Sequence, residues 1–492
     1  MKYSFLTTML ALFGVCYISY CQSISSRLLD VQTKEPIPFA SILYGEEQGV
    51  ITNENGDFQF VIEQNTKALD SIYISCMGYV GQGFTQKQLQ DSIIYLAPGG
   101  FELVGVDLMG QGLSADEIIQ RMVDSIPVNY NQMPVQKKFF LRQSTYDELD
   151  EAKIVLKAST IPEIDDISIE RIVDRLPKKT QYHTETFGNM YKSNGKVKLE
   201  VLKATEMYDK SQQATYAGIN HSLIKLIKKH VKDDSYFKIK TGPISTKLDL
   251  DTIIGRPSLD PQAETSIKLN YLASRANRLN KIENQFFNVN SRLEVIEKRK
   301  NYQFTKDQTF EQDGERFYVI NFGPKKNARL RGKMFINAND FAMTRIEYEN
   351  LESIKPFKLL GVNYNEPKYV GVAEFDKMKN GKYELSFSTL KHDFFVKVRR
   401  PFKIAEKNKN TKGRRKQNEI TIDLYLTAKS ANVFEWVALE TKGSSQGTFD
   451  MVPQRQIVEV KYRTSYDEQY WEDVTIVSPS ESVKEFAILE NE

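Results

Sequence analysis

The stretch that decides the fold is NEITIDLYLTA, residues 418–428. Its aliphatic side chains recur at every second position and alternate with polar or aromatic ones: Ile420, Ile422, Leu424 and Leu426. Because successive side chains of a β-strand point to opposite faces, this alternation predicts a strand with one covered face and one wetter face.

The same alternation recurs through most of the chain after residue 114. Further strands are predicted within GERFYVINFG, KMFINANDFAMTRIEYEN, GKYELSFSTL and RQIVEVKYR. Asp313-Gly314 and Asn380-Gly381 lie between such runs and predict hairpin turns. Many hairpins in series favour a large, curved antiparallel sheet. Two apolar stripes at helical spacing, in residues 221–234 and 264–287, predict helices packed on that sheet.

The residues from 24 to about 98 form shorter alternating runs separated by Gly, Pro and Asn clusters. This spacing is typical of a small β-sandwich. Asn53-Glu54-Asn55-Gly56-Asp57 predicts a turn between two strands, and it has too few oxygen ligands for a calcium loop. Cys76 lies in an apolar strand pattern and is expected to be an inert, buried thiol.

The predicted fold class is therefore mainly β with some α. A transthyretin-like β-sandwich is followed by a large antiparallel curved-sheet domain with packed helices. The expected organisation is a signal peptide over residues 1–21, the sandwich over 22–98, a linker over 99–113, and a β-rich α+β domain over 114–492.

Three segments of the sandwich resemble the carboxypeptidase regulatory-like domain, a transthyretin-like module common in exported Bacteroidetes proteins. They are PIPFASI at residues 36–42, TNENGDF at 52–58 and ISCMGY at 74–79. The resemblance covers only about 75 residues. It implies an accessory module without catalytic residues of its own, and it does not imply peptidase activity.

The remainder is similar to segments that follow this module in uncharacterised envelope proteins of the same phylum. The likeness is carried by ADEII at residues 115–119, by Asn129-Tyr130 and by YDEQYW at 466–471. The segment INANDFA, residues 336–342, is faintly similar to the curved half-barrel of periplasmic lipoprotein carriers.

The first residues predict export. Lys2 gives a small positive charge, an apolar run extends from Phe5 to about Ile18, and cleavage is expected between Cys21 and Gln22. A lipoprotein is disfavoured because bulky Val15 and Tyr20 precede the two cysteines. The later sequence contains no apolar run of 18 residues, so no transmembrane helix is predicted in the mature chain. The expected location is periplasmic or associated with the outer membrane.

The segment LVGVDLMGQGLSADEIIQRM, residues 103–122, has the outline of a dinucleotide-binding turn. Such a turn needs a parallel βαβ unit and an acidic residue about 20 positions later, and neither is present. Ser114 and Glu117 instead form a capping box at the start of an amphipathic helix. The apolar stripe of that helix consists of Ile118, Ile119, Met122, Val123 and Ile126.

No catalytic or cofactor-binding constellation is predicted. His183, His221, His230 and His392 form no zinc-binding motif. GSSQG, residues 443–447, matches GxSxG, but no obvious helix follows and no histidine lies beyond it, so Ser445 is not expected to be a nucleophile. We expect no metal and no cofactor.

The most basic stretch, KIAEKNKNTKGRRKQNE at residues 403–419, is expected to be a solvated hairpin tip. The alternative is contact with an anionic partner through Lys412, Arg414, Arg415 and Lys416. The stretch lacks interleaved aromatic residues, and the formal net charge of the chain is only +3, so no nucleic-acid partner is expected.

Three functions remain open. The favoured one is a non-catalytic envelope protein, in which the sandwich acts as a docking module and the sheet binds a partner protein or a lipid-like ligand. The alternatives are an outer-membrane β-barrel component, which the charged strands disfavour, and a hydrolase built from dispersed carboxylates. The oligomeric state is left open.

Overall fold

The computed structural model describes residues 22–45, 48–62, 72–89, 93–99, 101–102, 112–232, 234–250, 261–287, 291–410, 416–453 and 457–488. Two compact units are present. The described residues of Met1–Cys76, Gly81–Ala97 and Asp467–Ser478 form unit 1. Those of Met77–Val80, Pro98–Tyr466 and Pro479–Glu492 form unit 2. Both units are rich in strands, as the predicted fold class requires.

Unit 1 contains two small sheets. One has the order β4-β1-β7 and the other β3-β2-β5-β6. Pairing is antiparallel except between β1 and β7. The elements are β1 Gln22–Asp30, β2 Ser41–Leu43, β3 Gly49–Ile51, β4 Asp57–Ile62, β5 Ile72–Ser75, β6 Gln82–Phe84, α1 Gln86–Leu89 and β7 Ile93–Leu96.

The predicted turn before β4 is confirmed. The side-chain oxygen of Asn53 accepts hydrogen bonds from the backbone N–H groups of Asn55 and Asp57 at 2.8 and 2.9 Å. Gly56 has a positive φ of 75°, which glycine adopts without steric cost. Cys76 is buried, as expected.

Unit 1 also includes the late segment Asp467–Ser478. The Thr475 hydroxyl oxygen accepts hydrogen bonds from the Tyr44 hydroxyl at 2.9 Å and from the Val61 N–H at 3.0 Å. Trp471 is buried. The sequence analysis placed this segment with the second domain, and the predicted domain boundaries remain predictions.

Unit 2 is built on a 15-stranded sheet, counted over the described residues. Its first half comprises β8 Phe101–Glu102, α2 Ala115–Asn129, β9 Val135–Ser159, α3 Asp166–Asp174, β10 Lys179–Ser193, β11 Lys196–Tyr208, α4 Lys210–His230, β12 Ser235–Thr241, β13 Ile244–Asp249 and α5 Pro261–Asn284.

The second half continues the same sheet. It comprises β14 Tyr302–Gln312, β15 Glu315–Pro324, β16 Leu330–Asn337, β17 Met343–Asn350, β18 Ile354–Leu359, β19 Val362–Lys377, β20 Tyr383–Asn408, β21 Lys416–Gly443, α6 Gln446–Met451, β22 Lys461–Arg463 and α7 Glu481–Lys484. The predicted strand at RQIVEVKYR is shorter than expected, since among its described residues, 457–463, only the last three pair.

The main path of the sheet is β22-β11-β10-β9-β21-β20-β19-β17-β16-β15-β14-β8. Pairing along it is antiparallel except between β11 and β22. The central strands β9, β21 and β20 are 25, 28 and 26 residues long. At about 3.3 Å per residue they extend for roughly 80 Å, which is longer than the helices can cover.

Helices α2 and α5 cover one face of the sheet in the part around Leu141 of β9 and Trp436 of β21. We call this part the near half of the sheet, and the part toward the other ends of β9 and β21 the far half. Ile118, Ile119 and Met122 of α2 join the same buried cluster as Leu272 and Leu279 of α5. The apolar stripes predicted for these two helices, α2 and α5, are confirmed. The capping box is present as well, with the Glu117 N–H donating to Ser114 Oγ at 3.3 Å and the Ser114 N–H donating to the Glu117 carboxylate at 2.8 Å.

Two predicted helices have different bounds in the structure. The helix expected over residues 221–234 is α4, which begins earlier, at Lys210, and ends at His230. The helix expected over 264–287 is α5, Pro261–Asn284. Among the described residues, no helix is both long and apolar enough to cross a membrane.

Both predicted hairpin turns are confirmed. Asp313 and Gly314 have φ values of 55° and 77° between β14 and β15, and Gly381 has a φ of 77° between β19 and β20. Positive φ at both Asp313 and Gly314 is the signature of the two-residue turn that matches the twist of the flanking strands, whereas the turn at Gly381 lies in a five-residue loop between Lys377 and Tyr383.

Candidate functional site

The face of the sheet that carries α2 and α5 is here called the inner face. Leu141 of β9 is the direct cross-strand neighbour of Trp436 of β21, and both are buried in the cluster under those helices. Every second residue of β21 counted from Trp436 points to the same face. Leu426, Leu424, Ile422 and Ile420 therefore continue the inner face into the far half of the sheet.

Neighbouring strands place aliphatic side chains beside them. In register, Leu426 is paired with Val398 of β20, and Val398 with Val362 of β19. We call this surface the apolar sheet face. It consists of Leu149, Ile154, Leu156, Phe357, Leu359, Val362, Tyr364, Val396, Val398, Phe402, Ile404, Ile420, Ile422, Leu424 and Leu426.

None of the side chains that define the apolar sheet face is buried. Phe357 and Leu359 are exposed, and the others are half-buried. The sequence predicted that Ile420 to Leu426 would lie on a covered face. They do point the same way, but the covering is incomplete, because α2 and α5 pack against the near half of the sheet.

The opposite, outer face of the same far strands is charged. Arg399 lies 3.1 Å from the Glu151 carboxylate, and Lys157 lies 3.2 Å from Asp423. Hydrogen bonds from Arg399 and Thr427 lower the pKa of Glu151. One face of the far half is thus an apolar surface, and the other is a network of ion pairs that water can solvate.

Helix α4 reaches the far end of the sheet. Its last turn places Ile227 against a small cluster of Val231, Phe237 and Leu250, and Ile404 packs there as well. Leu223, one turn earlier in the predicted apolar stripe, is exposed. The apolar side of α4 is therefore only partly buried.

The last turn of α4 is held at this end by Glu163. His230 Nε2 lies 2.8 Å from the Glu163 carboxylate, and Lys229 donates to the same group. Hydrogen bonds from Lys229 and His230 lower the pKa of Glu163 to about 2. The helix is thus tied to the tip of the sheet through its last turn.

A polar cluster lies between the apolar sheet face and the buried core of unit 2. The buried Glu366 carboxylate accepts hydrogen bonds from Arg292 at 3.0 Å and from the Tyr364 hydroxyl at 2.9 Å, and His392 Nε2 lies 2.8 Å from it. Burial raises the pKa of Glu366, but the bonds from His392 and Tyr364 and the charge of Arg292 outweigh it and hold the pKa low. Burial lowers the pKa of His392.

Two carboxylates do converge inside unit 2. Lys137 Nζ lies 2.8 Å from Glu283 and 3.0 Å from Glu384, and Lys192 Nζ lies 3.0 and 2.5 Å from the same pair. Burial raises the pKa of Glu384, yet the two lysines outweigh it and lower the pKa to about 2. Both carboxylates contact both lysines, so their charges are balanced. The cluster therefore attaches α5 to the sheet rather than providing a general acid.

A separate depression of about 630 Å³ lies at Tyr146, Glu148, Phe395 and Lys429. By register these side chains project from the outer face. Lys429 lies at the depression, and its charge is paired with that of Asp150, 2.7 Å away. The depression has a mainly apolar lining with charged residues around it, and it is separate from the apolar sheet face.

The residues proposed from sequence for an anionic partner are mostly beyond what the structure describes. Lys412, Arg414 and Arg415 lie in residues 411–415, outside the described ranges. Lys416 is half-buried, and its Nζ lies 2.6 Å from Glu419. Cys21 and Gly110 also lie outside the described ranges, and Gln22 begins β1.

Ser445 of the GxSxG match is a helix cap. A short helix, α6, does follow it, contrary to the sequence analysis, and Ser445 Oγ accepts a hydrogen bond from the Thr448 N–H at 3.0 Å. The cap explains the serine without a nucleophilic role. Within the described ranges, no group of three or more His, Cys, Asp or Glu side chains is arranged to hold a metal ion.

No protein-family model matches the chain, and no curated protein matches it significantly. Similar solved structures include a LolA superfamily protein from Nitrosomonas europaea, at 9% identity and a TM-score of 0.17, covering 68% of this chain and 95% of that one. A DUF1329 family protein from Desulfovibrio piger has 9% identity and a TM-score of 0.18, with the same coverages.

The Pseudomonas aeruginosa MucA/MucB complex is matched at 5% identity with a TM-score of 0.17, covering 67% of this chain and 99% of that one. TM-scores this low do not establish a common fold. The functional argument therefore depends on the geometry of this chain alone.

Proposed function

We propose that this chain is an exported, non-catalytic binding protein of the cell envelope that holds an apolar ligand on the apolar sheet face. The observation that carries the proposal is the continuity of that face with the buried core. The same inner face that is sealed at Leu141 and Trp436 is half-exposed from Leu149 to Ile422. Extended apolar surface of this kind marks binding sites in folded proteins.

The shape and polarity of the face favour an acyl chain. From Val396 to Ile404 the face extends roughly 26 Å along β20 at about 3.3 Å per residue. A bilayer core of about 30 Å holds two acyl chains end to end, so one extended chain fits this length. Among the inner-facing positions of this stretch of β20, Arg400 is the charged one, and its guanidinium donates to the Thr241 carbonyl oxygen at 2.7 Å.

The remaining parts of the proposal concern location and unit 1. The apolar run near the N-terminus supports export, and the segments at residues 36–42, 52–58 and 74–79 support an accessory module of the carboxypeptidase regulatory-like kind. The pairing of Glu283 and Glu384 with two lysines supports a non-catalytic role. None of these features is needed for ligand binding itself.

The experiment is to recover the exported protein under mild conditions and compare native mass spectrometry with lipid extraction. A co-purifying lipid in fixed stoichiometry is expected. A fluorescent fatty acid then measures affinity for the wild type and for a Leu424→Gln/Leu426→Gln variant. Because each leucine side chain contributes about 1.5 kcal/mol or more when buried, the variant should bind at least tenfold more weakly.

The matched control is Tyr425→Gln, which lies between the two leucines, is equally half-buried, and points to the outer face. Its affinity should equal that of the wild type. A lipid-free, monodisperse protein that binds no fatty acid, or equal loss in the inner and outer variants, would rule out the proposal.

A further inference from the structure

A buried cation interrupts the apolar sheet face. Arg400 is 7% exposed, and the register of β20 on β21 places it directly opposite Leu424. Val398 and Phe402 occupy the neighbouring inner positions of its own strand. All three of these neighbours are apolar. A charge held among apolar side chains is costly unless an opposite charge lies beside it.

The described part of the chain provides no such opposite charge. Within it, no carboxylate forms an ion pair with Arg400, and the one hydrogen bond of the guanidinium goes to the Thr241 carbonyl oxygen at 2.7 Å. The adjacent Arg399, in contrast, points to the outer face and lies 3.1 Å from the Glu151 carboxylate. Because a guanidinium has five N–H donors, Arg400 can bind a further acceptor.

The two turns beside Arg400 approach it through glycine. A Cβ added at Gly242, between β12 and β13, would lie 3.1 Å from Arg400 Nη2, and one added at Gly361, between β18 and β19, would lie 3.1 Å from Arg400 Cγ. Neither glycine has a side chain that could cover the guanidinium. The Thr241 hydroxyl is also buried and has no hydrogen-bond partner among the described residues. Folding thus leaves unused donors at this edge of β20.

We propose that Arg400 binds the anionic oxygen head of an amphiphilic ligand whose acyl chain lies on the apolar sheet face. This inference rests on the proposed function and specifies the ligand as a fatty acid or another lipid with a carboxylate or phosphate head. The planar guanidinium matches such a head through two parallel hydrogen bonds. The bound head supplies both the missing opposite charge and an acceptor for the unused donors.

The position of Arg400 along β20 fits the length of an acyl chain. Val396 and Ile404 each lie four residues away, which is roughly 13 Å at about 3.3 Å per residue. One leaflet of a bilayer core is about 15 Å thick. A chain of ordinary length with its head at Arg400 can therefore extend over the apolar side chains in either direction.

The test measures the binding of a fluorescent fatty acid and of its methyl ester, which has the same chain and an uncharged head. Both affinities are measured for the wild type and for Arg400→Met, at a pH where the acid is ionised. Hydrogen bonds to a charged group contribute a factor of about ten to a hundred in affinity. Arg400→Met should therefore bind the acid at least tenfold more weakly and the ester as tightly as the wild type does.

The matched control is Arg399→Met, which removes the adjacent arginine from the outer face. It should bind both ligands with wild-type affinity. Arg400→Met is expected to fold, because it replaces a buried, unpaired cation by an apolar side chain. Arg400→Lys keeps the charge and loses the planar fork, so it should retain only part of the preference for the acid.

Competition distinguishes the two kinds of head. Displacement of the fluorescent acid by a monoacyl phosphate at lower concentration than by unlabelled fatty acid would assign a phosphate head, and the reverse order would assign a carboxylate.

Two outcomes would overturn the role of Arg400 and leave the proposed function standing. They are an unchanged ratio of acid to ester affinity in Arg400→Met, and an equal change of that ratio in Arg399→Met. A wild-type protein that binds neither the acid nor the ester would instead overturn the proposed function, and this inference with it.

Discussion

The protonation state of His183, a residue of unit 2, depends on its burial. Its Nδ1 lies 2.9 Å from Ser144 Oγ, and its ring meets those of Tyr146 and Phe486 edge to face. Burial, with a smaller effect from the charge of Arg142, lowers the pKa of His183 to about 4. The imidazole is therefore neutral in the folded protein at pH values where it would be charged in an unfolded chain.

A pH dependence of stability follows for His183. Between about pH 6.5 and pH 4 the unfolded chain binds the proton and the folded chain does not, so the free energy of unfolding falls as the pH falls. Relative to a His183→Gln variant, the wild type should lose about 2–3 kcal/mol between pH 7.5 and pH 4.5. Urea unfolding of both proteins at the two pH values measures this. Equal losses in the two proteins would contradict the assignment.

At the scale of elements, helix α5 is attached to the sheet by charge as well as by apolar packing. Lys137 of β9 is fully buried, donates to the Leu385 carbonyl oxygen at 2.7 Å, and pairs with Glu283 of α5. Its ammonium also lies 5.2 Å from the Trp436 ring. Removing one member of such a network leaves an uncompensated charge in a site that water does not reach.

Lys137→Met should therefore lower the free energy of unfolding of unit 2 by about 3–5 kcal/mol. Adding Glu283→Gln to that variant restores the balance between Lys192 and Glu384, so the double variant should regain part of the loss. Denaturant titration of both variants provides the measurement. A single variant within about 1 kcal/mol of the wild type would show that the network contributes little.

At the scale of the whole molecule, unit 1 is completed by residues from near the other end of the chain. Asp467–Ser478 belongs to it, and the Asn53 side-chain amide donates to the Ser478 carbonyl oxygen at 3.3 Å. Thr475 and the buried Trp471 are in the same segment. The N-terminal strands alone are thus an incomplete unit.

Trp471→Ala should destabilise unit 1 selectively. Truncating a buried tryptophan costs about 3–5 kcal/mol, because the apolar contacts are lost and a cavity remains. In amide hydrogen exchange, the protected amides of β1 and β4 should exchange faster, while those of β9 and β21 keep their wild-type rates. Ile457→Ala, at an exposed position, serves as the control. Faster exchange in β9 and β21 would mean that the two units unfold together.

The sequence predicted only part of the candidate site. The alternation of Ile420 and Leu424 predicted which side chains share a face, and the structure agrees. Their incomplete covering was not predictable, because it depends on where α5 packs along a strand of 28 residues. The neighbouring Arg400 and Thr241 also lie far apart in the sequence, and only the register of β12 on β20 brings them together.

The sequence by itself determined several of the strands, the hairpin turns at Gly314 and Gly381, the Ser114 cap and the mainly β fold class. Each of these follows from local physics: side-chain alternation, positive φ at glycine, and hydrogen bonds within a few residues. The tertiary structure decided which apolar face is sealed, which turns lie beside Arg400, and that Trp471 belongs to unit 1. These depend on contacts between distant segments, and no local pattern encodes such contacts.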